Sequence, residues 1–172
     1  MTTTENSFLD IPKPRIEIEA LNAYSAPLEG RRNLLRLDFN ENTIGPSPQV
    51  IQALRKISRE EISIYPEYSG LKETFVKNLN QKKQSININS SEIGIFNGVD
   101  ASINAIFHAY GDNNDVMLTT SPTFGYYAPC AQMRGMKVTS IPYEGIDFQY
   151  PFKKICEFVD HKNPKILLIC NP

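Results

Sequence analysis

Apolar positions along residues 93–170 switch between helical spacing and short continuous runs, a pattern that predicts alternating strands and helices. Ile93–Phe96 reads as a short strand that stops at Asn97-Gly98. Val99, Ile103, Ile106, Phe107 and Tyr110 follow at helical spacing, which predicts a helix with one buried stripe. Gly111–Asp115 is a turn cluster, and Val116–Thr119 reads as the next strand. Ser121-Pro122-Thr123-Phe124-Gly125-Tyr126-Tyr127 leads into a helix reaching Arg134, with Gly135 as its stop. Lys137–Ile141 reads as a strand and Tyr150–Val159 as a helix with Phe152, Ile155, Cys156 and Val159 apolar. Lys165–Cys170 reads as a strand buried on both faces of a parallel sheet. The alternation predicts an α/β architecture with right-handed crossovers.

Upstream the pattern is looser. Residues 1–14 are polar and proline-bearing, an arm; Ile16, Ile18 and Leu21 give a short element. Leu35, Leu37 and Phe39 alternate with polar residues, which predicts a short strand or extended segment ending in Asn40-Glu41-Asn42. Ser47 is a good helix N-cap and Pro48 fits the first helical position; Val50, Ile51, Leu54 and Ile57 then form a helical stripe. Residues 64–70 break it, and Leu71, Phe75 and Leu79 mark a second helix. Residues 81–91 are a polar connecting loop. The expected organisation is an N-terminal arm and edge segment over 1–40 and a partial layered domain over 41–172.

Composition narrows the classes. A chain of 172 residues with 41% hydrophobic and 22% charged content can bury a core. A net charge of −1 supplies no electrostatic pull toward nucleic acid or an anionic membrane. No apolar run is long enough to span a bilayer, and the N-terminus has no basic start or apolar stretch of a secretory signal, so the expected compartment is the cytoplasm. Cys130, Cys156 and Cys170 are odd in number and widely spaced, and read as buried free thiols. His108 and His161 have no matching ligand cluster, and His108 reads as a packed or surface histidine.

The candidate chemistry sits at Asn97-Gly98-Val99-Asp100. A glycine turn that opens a helix leaves the first backbone N–H groups unpaired, ready for an anion. Three readings fit. One is a plain connecting turn with Gly98 at positive φ and Asp100 set against the helix dipole. Another is a dinucleotide fold, although the G-x-G-x-x-G spacing is absent and so is a Walker loop. The third is a phosphate-bearing cofactor whose flat ring stacks on an aromatic platform. Phe124, just past the second strand, is that platform or else a core aromatic beside Tyr126 and Tyr127.

Five fragments taken together resemble a known family. D-F-N-E-N-T-I-G-P-S-P, I-Y-P-E-Y-S-G-L, F-N-G-V-D, S-P-T-F-G-Y-Y and I-C-N-P stand in the order and approximate spacing of the fold-type-I aminotransferases, and histidinol-phosphate aminotransferase in particular. The resemblance spans nearly the whole chain except the first dozen residues. It implies a three-layer, mainly parallel sheet of the family's large domain, and pyridoxal 5′-phosphate as cofactor. It implies that the backbone of Gly98, Val99 and Asp100 holds the cofactor phosphate and that Phe124 stacks on the pyridine ring. Val99 and Ala101 depart from the family turn, which commonly carries a hydroxyl and a second carboxylate there. Tyr65 resembles the tyrosine that reaches a neighbour's cofactor across a homodimer interface. Tyr24, Asn40 and Gly45 resemble residues that line the substrate pocket.

The parent reaction implied is amino transfer between an L-amino acid or histidinol phosphate and a 2-oxo acid, as in histidine biosynthesis. The family's cofactor-bonding lysine, its ring-pairing aspartate and its carboxylate-clamping arginine lie beyond the position matched by Pro172, so no catalytic residue is assigned. The expectation is an N-terminal portion that is incomplete without the catalytic half, inactive alone and prone to aggregate. A non-catalytic binding or dimerising module, and an unrelated phosphate-binding α/β domain, are the alternatives.

Overall fold

The computed structural model describes residues 12–21, 29–68, 70–82 and 87–171. Its helices are α1 (Ile16–Glu19), α2 (Pro48–Arg55), α3 (Arg59–Ser63), α4 (Leu71–Lys82), α5 (Val99–Tyr110), α6 (Tyr127–Met133) and α7 (Phe152–Lys162). Its strands are β1 (Val116–Ser121), β2 (Lys137–Pro142) and β3 (Ile166–Leu167). Contacts gather the chain into two compact units, one of residues 1–24 and 96–172, the other of residues 25–95.

The first unit is a parallel sheet in the order β2-β1-β3. The register runs from Val116 opposite Lys137 to Ser121 opposite Pro142, and Met117 and Leu118 face Ile166 and Leu167. Neighbouring residues of a strand point to opposite faces, so Met117 and Leu118, both fully buried, build two separate cores. Met117 packs with Ile103 and Phe107 of α5, Cys130 and Ala131 of α6, and Met136. Leu118 packs with Ile141 of β2 and Ile155 of α7, backed by Phe158 and Val159. Helices thus cover both faces, giving the expected three layers. Phe107 is 1% exposed; burial of a side chain of that size contributes about 1.5–3 kcal/mol. Gly135, at φ 71, turns the chain from α6 toward β2, and a Cβ there would meet Asn113 Oδ1 at 2.5 Å. α7 ends on Asn163 at φ 43, whose N–H donates to the Val159 carbonyl.

Several expectations need correction. Residues 93–96 form no strand: no described segment pairs with them, and Ile95 and Phe96 stand exposed, so neither a ladder nor burial holds them extended. The stripe of α5 is buried only at Ile103 and Phe107, because α6 and β1 cover one narrow strip of the helix. Val99, Ile106 and Tyr110 face out. The Lys165–Cys170 run forms a ladder only at Ile166–Leu167, and Leu167 and Ile169 are exposed, because β3 is an edge with a partner on one side. Cys130 is buried, as expected, whereas Cys156 and Cys170 are only half-buried; none of the three is in a disulfide. His108 lies on the exposed side of α5.

The second unit holds α2, α3 and α4. Pro48 opens α2 as expected, while Ser47, at the cap, makes no side-chain capping bond. α3 begins with a capping box: Glu61 N–H donates to Ser58 Oγ at 3.1 Å, and Ser58 N–H donates to Glu61 Oε2 at 2.7 Å. No described residue of this unit is buried. The apolar stripe of α2, including Leu54 at 57% exposure, faces outward. Leu35 and Leu37 are exposed too, and no strand forms there; the segment opens instead with a 3-10 turn over Arg31–Asn33. Among the described residues no helix is long and apolar enough to cross a membrane.

Candidate functional site

The N-terminus of α5 is the first part of the site. Gly98 stands at φ 86 and ψ 167, a region essentially reserved for glycine. Its own N–H donates to the Phe96 carbonyl at 3.0 Å. No side chain caps the helix, so the first-turn N–H groups of a 12-residue helix face outward. A Cβ on Gly98 would meet no atom within 4 Å; the glycine answers to backbone conformation and leaves open space at the helix end. Val99 is exposed there, and Asp100 lies in the first turn.

Phe124 forms the second part. It follows the carboxyl end of β1, past the cis Ser121–Pro122 peptide, in the segment that enters α6. Its ring meets Tyr127 nearly edge-on, with centroids 5.3 Å apart and planes at 84°, and is 36% exposed. Tyr127 O–H in turn reaches Cys170 Sγ at 3.8 Å, tying the start of α6 to the chain beyond β3. Burial raises the Tyr127 phenol, and its hydrogen bond to Cys170 adds to the shift. The Tyr126 phenol is also raised, first by its hydrogen bond with Cys130, then by burial, with the Asp100 carboxylate adding to the shift. Burial raises the Cys130 thiol, the Tyr126 hydrogen bond opposes, and Asp100 raises it further. Asp100 therefore acts electrostatically on the first turns of α6. The structure brings Gly98, Val99, Asp100 and the Phe124 segment to neighbouring parts of the first unit.

Asn40, Gly45 and Tyr65 belong to the second unit. Asn40 has φ 52 and is exposed. Gly45, at φ 85, closes a tight turn in which Asn42 Nδ2 donates to its carbonyl at 2.9 Å and its N–H donates to the Asn42 carbonyl at 3.0 Å. Tyr65 is 96% exposed. Tyr24 lies outside the described residues.

The open, uncapped helix end fits a phosphate dianion, since it offers N–H donors, the positive end of the helix dipole and no side-chain bulk. The half-exposed Phe124 ring fits a flat heteroaromatic ring. Sequence reasoning missed the Tyr127–Cys170 contact, which joins residues 43 apart and leaves no local signal. It also missed Arg31, which gathers Asp38 and Glu41 around one guanidinium. Among the described residues no cluster of histidine, cysteine and acidic side chains is placed to hold a metal.

The family described as aminotransferase class I and II matches residues 32–172. A dihydroxyacetone phosphate transaminase of Campylobacter jejuni is 32% identical, over 81% of this chain and 37% of its own length. A histidinol-phosphate aminotransferase of Moorella thermoacetica is 26% identical, over 98% of this chain and 43% of its own. In structure, a histidinol-phosphate aminotransferase from Sinorhizobium meliloti, solved with pyridoxal-5′-phosphate, superposes with a TM-score of 0.75 at 21% identity. That likeness covers 96% of this chain and 43% of that one, and it shows the fold: part of the fold-type-I large domain. The chain thus spans less than half the length of these relatives. An unrelated phosphate-binding α/β domain is ruled out by a match of this extent, and the chain belongs to the aminotransferase class I and II family.

Proposed function

We propose that this chain supplies the cofactor-phosphate turn and the ring platform of a pyridoxal-phosphate-dependent aminotransferase of the histidinol-phosphate type. The observation that carries this is Gly98, in a glycine-only conformation, at the uncapped and open N-terminus of α5. The turn at Gly98 and the backbone N–H groups of Val99 and Asp100 would hold the cofactor phosphate, and Phe124 would stack on its ring. The cofactor, when bound, supplies an electron sink for the substrate Cα. Phe124 excludes water from one ring face and orients the ring; Tyr127, held by Cys170, buttresses Phe124 edge-on. Asn40 and Gly45, with Tyr24, would line the substrate pocket, and Tyr65 would reach the cofactor phosphate of a second subunit in a homodimer.

The parent reaction is amino transfer from histidinol phosphate or an L-amino acid to a 2-oxo acid acceptor. No described residue is assigned the proton-transfer or covalent role; the part proposed for this chain is to bind and orient the cofactor. A second reading, with dihydroxyacetone phosphate as the amino-acceptor, is favoured by the name of the Campylobacter jejuni relative. Titration with pyridoxal phosphate tests the site: saturable binding in the wild type, lost in Gly98→Trp, supports it, and no saturable binding overturns it. Turnover by the intact protein with L-histidinol phosphate and 2-oxoglutarate, against L-glutamate and dihydroxyacetone phosphate, separates the two substrate readings.

A further inference from the structure

Arg31 is the centre of a closed loop in the second unit. Its side chain is only 14% exposed although its neighbours stand in solvent. Nε and Nη2 donate to the two carboxylate oxygens of Asp38, at 3.3 and 2.5 Å, and Nη1 donates to Glu41 Oε1 at 3.3 Å. The guanidinium carbon lies 4.2 Å from the centre of the Phe39 ring. Arg36 Nε holds the other Glu41 oxygen at 3.2 Å. Of the residues 38–41, only Asn40 makes no contact with this cation. Its side chain has no hydrogen bond among the described residues, and its backbone stands at φ 52, in the left-handed region that asparagine enters more readily than other residues with a Cβ. The hydrogen bond from Arg31 holds the Asp38 carboxyl below its ordinary value.

We propose that Arg31 is a positioning residue: it folds Asp38, Phe39 and Glu41 around its guanidinium and thereby presents Asn40 to a substrate of the amino-acid type. The proposal rests on the reading of Asn40 as substrate-lining. It assigns the work to a fork-shaped, always charged donor, because one guanidinium engages two carboxylates and a ring face at once. A lysine ammonium, a single point charge, cannot make the paired bonds to Asp38, so Arg31→Lys is expected to resemble Arg31→Ala.

The test uses the intact protein and the variants Arg31→Ala, Arg31→Lys, Asn40→Ala and the Arg31→Ala/Asn40→Ala pair. Three quantities are read: amide exchange over residues 38–45, the pyridoxal phosphate dissociation constant, and KM and kcat with L-histidinol phosphate and 2-oxoglutarate. Arg31→Ala should speed exchange at 38–45 and raise KM for the donor about tenfold, with kcat and cofactor affinity within about twofold. The double variant should be no more than about twofold worse in KM than the worse single one, because both act through Asn40. Effects on KM that multiply, or faster exchange with unchanged KM, overturn the positioning role and leave the proposed function standing. Unchanged exchange overturns the clasp itself. A wild-type protein that binds no pyridoxal phosphate overturns the proposed function and this role with it.

Discussion

Gly98 and Phe124 test different physics at the same site. Gly98 has room for a methyl group, so any cost of Gly98→Ala comes from backbone conformation; forcing a Cβ into that region costs about 1–3 kcal/mol. The variant should therefore reset the turn, misalign the first N–H groups of α5 and weaken pyridoxal phosphate binding by about tenfold or more. Absorbance titration reads this, and an unchanged dissociation constant would remove Gly98 from the phosphate site. Phe124 makes a different prediction, because stacking contributes about 0.5–1.5 kcal/mol and needs only a ring. Phe124→Tyr should keep affinity within about twofold, while Phe124→Ala should lose up to about tenfold. A loss in Phe124→Tyr equal to that in Phe124→Ala would show that the residue acts as packing for Tyr127 and not as a platform.

At the scale of elements, α5 shows what the helical period could and could not convey. Five apolar residues share its spacing, yet only Ile103 and Phe107 are buried, because burial depends on how wide a strip α6 and β1 cover. Phe107→Ala should destabilise the first unit by about 3–5 kcal/mol, and Ile106→Ala by less than about 0.5 kcal/mol, measured by denaturant unfolding. Equal losses would mean that the exposed side of α5 is covered in solution. α3 is the opposite case: it lacks a long stripe, but Ser58 and Glu61 carry an S-x-x-E signature, so its start is marked by capping and not by periodicity. Its bonds from the Ser58 backbone and side chain hold Glu61 below its ordinary 4.5. A carboxyl lowered by folding stabilises above its unfolded value and loses that contribution as pH falls through the lowered one. Amide exchange within residues 59–63 should accelerate below about pH 4.5 in the wild type but stay pH-independent, after correction for intrinsic rates, in Glu61→Gln. The strands β1 and β2, the helices α5 to α7 and the glycine turn were legible because local period and turn chemistry decide them. The loss of strand character at 93–96 and the short β3 were not, since both depend on which sheet edges have neighbours.

On the scale of the whole molecule, the two units differ in how their apolar residues are used. The first unit buries two clusters on opposite faces of β1. In the second, Leu37, Val50, Leu54 and Phe75 remain exposed, and no described residue is buried. Hydrophobic burial is the main term that opposes chain entropy, so a unit without it has little to hold its helices beyond capping and local ion pairs. Amide exchange on the chain as it stands should show slow protons in β1, α5, α6 and α7, near-intrinsic rates across α2 and α4, and only the modest protection of its capping box in α3. Limited proteolysis should cut first within residues 29–95. The same exposed apolar surface should drive concentration-dependent association, visible by sedimentation, as expected for faces made to be covered. If α2 and α4 become protected as concentration rises while the exchange of β1 stays constant, copies of this chain cover those faces. Protection of α2 and α4 equal to that of β1 at high dilution would show instead that the second unit is stable by itself, and would remove exposed apolar surface as the reason for association.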